Sequence, residues 1–278
     1  MAQTAFMTQY RPEYIATFER KQSLLRSTTV TEASIKGNTA VFLTAGSGGA
    51  TATTRGANGL IPARSSSLTQ NSCTLTEYHD LVEATRFTTD MSQGDIRKVM
   101  QENSVDTLNR KIDDQIIAQL DTATINTSAA TASLNVVTTA LAYLASQNVP
   151  VEEEDNMFGL ITPAFKKYLM QIPEFSNAEY VEVKPFVGPA KKQLRWMGVN
   201  WIVHSGLTGI NTATEKCYMY HKNAIGHAAD SANLNASAGY DDRQDFYWAR
   251  ASLFMGAKLL QNSGVVQMLH DGSAVSLS

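Results

Sequence analysis

Residues 36–76, KGNTAVFLTAGSGGATATTRGANGLIPARSSSLTQNSCTLT, constrain this chain more than any other stretch. The segment holds six glycines and few large apolar residues. A β-like run at Thr39–Thr44 enters it, and a second β-like region, around Cys73–Thr89, leaves it. What lies between cannot build a core, because so little apolar surface does not offset the entropy of ordering the backbone. The pattern is a long two-stranded loop that projects from the body. A lone hairpin is only marginally stable in water, so a loop this long must rest on a partner.

A long helix follows the loop. In Leu108–Ala123 (LNRKIDDQIIAQLDTA), Leu108, Ile112, Ile116 and Leu120 recur every four residues, and Asn109, Arg110, Lys111, Asp113, Asp114 and Gln119 fill the spaces between. One stripe is apolar and the opposite face charged, as in a helix lying on a surface. Asp90 or Ser92 suits the N-cap, with apolar positions running from Ile96 through Val99, Met100 and Val105. Gly94 and Asn103 weaken the early part and leave room for a break near 103.

Around these two features the chain divides by texture. Residues 1–35 form an arm with a short helix, docked through Tyr14, Ile15, Phe18 and Leu25. Residues 124–235 alternate helix and strand. Leu134–Gln147 is helical, Met157–Thr162 is a buried strand, Pro163 opens a helix with Phe165, Leu169 and Ile172 on one side, and Trp196–His204 and Lys216–Tyr220 are strands. Gln244–Lys258 and Val265–Leu269 are two further strands joined by a sharp turn at Asn262–Gly264. The class is α+β.

Composition narrows the partners. Only 18% of residues are charged, against roughly 25% in ordinary soluble domains. Small polar residues fill the gap, which suits extensive burial against neighbours. The net charge of −3 supplies no global field for nucleic acid. Cys73 and Cys217 are too isolated for a disulfide scaffold or a zinc knuckle. The N-terminal MAQTAFMTQYRPEY has neither the basic nor the apolar region of a secretory signal. The longest uncharged run, Thr122–Val151, is too rich in Thr, Ser and Asn to span a membrane.

Five stretches, in order, resemble the major capsid protein of tailed bacteriophages, the Hong Kong 97-type fold. Gly59–Pro62 (GLIP) is similar to the tip of that family's extended loop, and Asn109–Ile117 (NRKIDDQII) to its spine helix. Met157–Lys167 (MFGLITPAFKK) looks like the strand–Pro–helix element of its axial domain. Trp196–Ser205 and Tyr218–Ala228 (YMYHKNAIGHA) resemble two of its later strands. The resemblance implies an N-terminal arm at 1–35 and an extended β-hairpin loop at 36–89 lying across the adjacent subunit. It also implies a peripheral domain with the spine helix at 90–123 and 236–278, and an axial α/β domain at 124–235 around the hexamer and pentamer axes.

The function that follows is structural: self-assembly as pentamers and hexamers into an icosahedral head around double-stranded DNA, in a virion built in the host bacterial cytoplasm. The expected partners are copies of the chain itself, a portal protein, a separate scaffolding protein and a decoration protein; no cofactor and no membrane are expected. Many members begin with an extra scaffolding segment; this chain starts almost at the arm, so that segment is expected to be absent or already removed, and a separate scaffolding protein is expected. Some members cross-link a loop lysine to an asparagine, but no lysine occurs between Gly37 and Asp95. Clamping must then be non-covalent or come from the decoration protein. A bacterial encapsulin-like nanocompartment shell shares this architecture and is the alternative. A hydrolase or binding protein with an unrecognised site is a third reading, and it requires a pocket of convergent polar groups.

No catalytic constellation stands out. His79-Asp80 lies on a β-run, where consecutive residues face opposite ways. His204 and His221 sit beside apolar runs as packing histidines, Gly46–Gly49 lacks the lysine of a phosphate loop, and Glu152–Asp155 is a solvated acidic turn rather than a calcium loop. The working residues are expected at subunit contacts: Arg55 and Arg64 in the loop, and Asp90, Asp95, Asp113 and Asp114 on or near the helix. Lys191, Lys192 and Arg195 form a basic cluster that could face packaged DNA without sequence preference, or an ordinary solvated face.

Overall fold

The computed structural model describes residues 21–32, 35, 37–46, 51–63, 66–91, 96–173, 194–230 and 235–275. Its axis is helix α2, Ile96–Leu120, which follows the short helix α1, Arg86–Met91. Helix α2 runs unbroken through Asn103, so the weak point there does not interrupt it. One unfavourable residue costs a few tenths of a kcal/mol, about ten times less than burying a single apolar side chain. Leu108, Ile112, Ile116, Ile117 and Leu120 all face the core and are buried.

Two five-stranded sheets take up that stripe. The first contains β1 (Val30–Glu32), β4 (Thr76–Thr85), β9 (Ile225–Ala229), β10 (Asn235–Asp241) and β11 (Phe246–Leu259). Strand β11 is its centre. It pairs antiparallel with β4 from Phe246↔Thr85 to Met255↔Thr76, and with β10 and then β9. The second sheet has the order β12 (Val265–His270), β8 (Glu215–His221), β5 (Met157–Ile161), β7 (Val199–Val203), β6 (Leu194–Trp196). Every residue of β5 is buried, as suits a strand covered on both faces.

Period-2 alternation assigns the faces of β5. Phe158 and Leu160, with Ile202, Tyr218 and Tyr220, share one core with the α2 stripe and with Ala251, Leu253 and Met255 of β11. Met157 and Ile161, with Val199, Trp201, Cys217 and Met219, face a second core under α3 (Leu134–Ser146) and α4 (Pro163–Leu169). Thr162 caps α4, its Oγ1 accepting from Phe165 N at 3.1 Å with Pro163 in the first turn, which meets the expectation at Pro163.

Four expectations change. Trp196–His204 is a hairpin, not one strand. Met197 (φ 52°) and Gly198 (φ 71°) form a two-residue turn between Trp196 and its partner Val199, and two left-handed residues are what such a turn requires. The β-like region leaving the loop ends at Thr85, and residues 86–91 are helical. Among the described residues of the arm, helix is limited to a single 3-10 turn at Arg26–Thr28; Leu25 is buried as expected, while Tyr14, Ile15 and Phe18 lie outside the described residues. Finally, the 235/236 boundary does not follow the sheets. Strand β9 shares a sheet with β4, β10 and β11, and β12 shares one with β5 and β8, because pairing register, not local composition, decides sheet membership.

Candidate assembly interface

The loop is a hairpin whose far end is exposed among the described residues. Strands β2 (Thr39–Gly46) and β3 (Ser67–Thr74) pair antiparallel from Thr39↔Thr74 to Gly46↔Ser67. Its base is docked: Ala40, Phe42, Cys73 and Leu75 cluster with Ala228 of β9. Alternation then turns Val41, Leu43 and Leu68 to the opposite face, where they are 47%, 79% and 75% exposed. The inward face farther out is polar, with Asn71 Nδ2 donating to Thr44 Oγ1 and Thr44 Oγ1 to Thr69 O. The hairpin is therefore amphipathic, and its aliphatic face points away from the other described residues of its subunit.

Residues 51–63 are exposed throughout. A tight turn closes at Gly56–Gly59, where Gly59 N donates to Gly56 O (2.9 Å) and Gly56 N to Leu60 O (3.0 Å). Arg55 Nη1 donates to Gly59 O at 3.4 Å. Leu60 and Ile61 stand beside it, 73% and 67% exposed. No Asp or Glu occurs between Glu32 and Glu77, so this apolar, cationic limb carries no acid of its own.

The expected contact residues fare unequally. Arg55 and Asp114 are exposed and free to meet another copy. Asp90 lies in α1. Arg64, Asp95, Lys191 and Lys192 lie outside the described residues. Asp113 is a correction: it is 3% exposed and hydrogen-bonded within its own chain, so it is not a subunit contact. Its stripe neighbours Ile112 and Ile116 carry it inward with them. Arg195 is half-exposed, and its guanidinium pairs with Glu154 (3.1 Å) and Asp155 of the acidic turn.

Several polar anchors escaped the sequence. Asp121, just beyond the C-terminus of α2, accepts from Thr208 Oγ1 (2.6 Å), Lys216 Nζ (3.0 Å) and the Tyr218 hydroxyl. A carboxylate is unfavourable at a helix C-terminus. Burial raises its pKa, yet these bonds outweigh burial and hold the carboxyl below its ordinary range. Glu215 is fully buried and accepts from Thr162 Oγ1 and Asn211 N, each at 2.6 Å. The partners of Asp121 are some 90 positions away, and no local motif announces them.

His227 is fully buried in β9 with neither ring nitrogen hydrogen-bonded. Burial, and then the Arg26 charge, pull its pKa down to about 4 against a weaker upward pull from Asp113. The folded state therefore holds it neutral, while the unfolded chain protonates it near 6.5. Between those values the unfolded state binds more protons, so stability falls as pH drops from about 6.5 to about 4. The full effect is on the order of 3 kcal/mol. Urea midpoints at pH 7.5 and 4.5 are expected to differ clearly less in His227→Gln than in the wild type.

No group of three or more His, Cys, Asp or Glu among the described residues is placed to hold a metal ion, and no described helix is long and apolar enough to cross a membrane. A groove of about 400 Å³ lies along α3 and is lined by Ile125, Thr127, Val136, Thr139, Tyr143 and Val266, among others. These side chains are mainly apolar and offer no nucleophile–base pair. His79, set aside as a metal ligand, is exposed beside Glu77 at 3.1 Å.

A projecting limb, a spine helix and two sheets sharing one core now stand together, and residues 2–272 match the family described as phage capsid protein. The chain belongs to this family. Its role is that of a structural major capsid protein of the virion, and the family match favours a phage head over a nanocompartment. Solved phage capsids share the fold. The chain resembles that of Mycobacterium phage Che8 at 14% identity and a TM-score of 0.73, covering 96% of this chain and 98% of that one. For the capsid of Ralstonia phage GP4 the values are 12% and 0.73, with 96% of each chain covered. For the capsid of Cyanophage P-SCSP1u they are 14% and 0.69, with 96% and 93% covered. No curated protein matches by sequence.

Proposed function

We propose that this capsid protein assembles as hexamers and pentamers into an icosahedral head that encloses double-stranded DNA and carries a portal at one vertex. The observation that carries the reading is the hairpin: Val41, Leu43 and Leu68 are exposed on the face turned away from the docked base, where a neighbouring copy covers them. Stable interfaces bury roughly 1,200–2,000 Å², and a limb laid across a neighbour supplies area of that kind. Arg55 and Arg64 meet acids of the adjacent subunit, and Asp90, Asp95 and Asp114 offer such acids near the spine. Lys191 and Lys192 add a non-specific attraction for phosphate, small per subunit and repeated over the shell. Assembly takes place in the host bacterial cytoplasm. Native particles are expected to contain double-stranded DNA and a portal ring; particles filled instead with an enzyme carrying a docking tail overturn this reading in favour of the nanocompartment.

A further inference from the structure

The arm enters the body over one buried carboxylate. Leu25 N donates to Asp113 Oδ1 and Leu24 N to Asp113 Oδ2, each at 3.1 Å. The Ser23 hydroxyl donates to Oδ1 as well, and its oxygen accepts from Arg26 N at 3.2 Å. The fourth donor is His204, whose Nε2 lies 3.3 Å from Oδ2. Gly206 N donates to His204 Nδ1 at 2.9 Å, which places the ring proton on Nε2, facing the carboxylate. One side chain on the spine helix thus joins the arm to the end of β7.

Beyond this point the arm is held differently. Leu25 is fully buried in the main core, Thr28 Oγ1 lies 2.6 Å from the Tyr220 hydroxyl, and β1 pairs parallel with β9 at Val30↔Gly226. Before it, residues 21–24 are fixed by the Asp113 bonds and by Asn109 Nδ2 donating to Lys21 O at 2.9 Å. Packing anchors the arm from Leu25 onward; just ahead of it a charge is the main anchor, helped by partly buried Leu24.

We propose that Asp113 is a latch that fixes residues 23–25, the root of the N-terminal arm, on the spine helix. With the carboxylate in place the Leu24 and Leu25 backbone is clamped to the helix; without it this stretch keeps only the packing of Leu24 and Leu25 against the core and the Asn109–Lys21 hydrogen bond. Asp113 acts through the backbone it holds, and is a positioning residue for assembly. An asparagine cannot replace it, because its side-chain NH₂ would confront groups that are themselves donors.

Amide hydrogen exchange on unassembled full-length subunits tests the latch whether or not the shell reading holds. In Asp113→Asn the Leu24 and Leu25 amides are expected to exchange at least about tenfold faster, with β5 and β8 amides unchanged. Ser23→Ala, which removes one donor, is expected to give the same localised pattern at smaller amplitude and serves if Asp113→Asn does not fold. Unchanged exchange at Leu24 and Leu25, or equal acceleration in β5 and β8, overturns the latch. Where wild-type subunits form shells, latch variants are expected to form several-fold fewer; an unchanged yield overturns the assembly role.

Discussion

Replacing Leu43 and Leu68 together with aspartate leaves the isolated subunit as stable as the wild type and abolishes shells. Both side chains are more than 70% exposed in the subunit, and substitutions at such sites change stability by about 0.5 kcal/mol or less. In the proposed shell the same face is covered by a neighbour. Each leucine then withdraws from water apolar surface that contributes about 1.5–3 kcal/mol, and each aspartate would bury a charge. The combined loss exceeds about 3 kcal/mol per contact, more than a hundredfold in association, and it repeats at every contact. Urea denaturation of the subunit and sedimentation of assembled material measure the two halves separately. Shells at wild-type yield would show that this face remains in solvent after assembly.

The second large effect lies in the core. Trp201→Ala is expected to cost about 3–5 kcal/mol, a large part of the 5–15 kcal/mol typical of a domain. Trp201 is 1% exposed, stacks on Phe165 with ring centroids 6.4 Å apart, and donates from Nε1 to Trp196 O at 3.1 Å. Its ring also lies flat on Gly159 of β5, where an added Cβ would come within 2.5 Å of ring carbon Cε3. Gly159→Ala therefore destabilises the same contact from the other side. The check is the urea midpoint at unchanged m-value; a loss under about 1 kcal/mol for Trp201→Ala would mean that the second core does not depend on this ring.

Much of this fold was legible, for a physical reason. The four-residue recurrence from Leu108 to Leu120 can be satisfied only by a helix with one buried stripe, and α2 buries it. The apolar MFGLI run and Pro163 mark a covered strand followed by a helix start, and both are present. The hairpin was legible because residues 36–76 lack the means to fold alone. What stayed hidden depends on partners distant in sequence. Asp113 looked like any charge on a helix surface, and only the arm root and His204, each about 90 positions away, reveal it as a buried anchor. Arg195 looked like a free cation because Glu154 and Asp155 lie some 40 positions upstream. The turn at Met197–Gly198 did leave a signal, a glycine after Met197 within an otherwise strand-like run, that an uninterrupted strand does not accommodate well.

The central claim is that residues 39–74 are a limb without a core of its own, ordered on a second copy of the chain. The most direct measurement is a cryo-electron microscopy reconstruction of the protein purified under assembling conditions. The expected result is a closed shell in which Val41, Leu43 and Leu68 of each hairpin lie against the adjacent subunit. A monodisperse monomer with that same face folded onto its own body would contradict it.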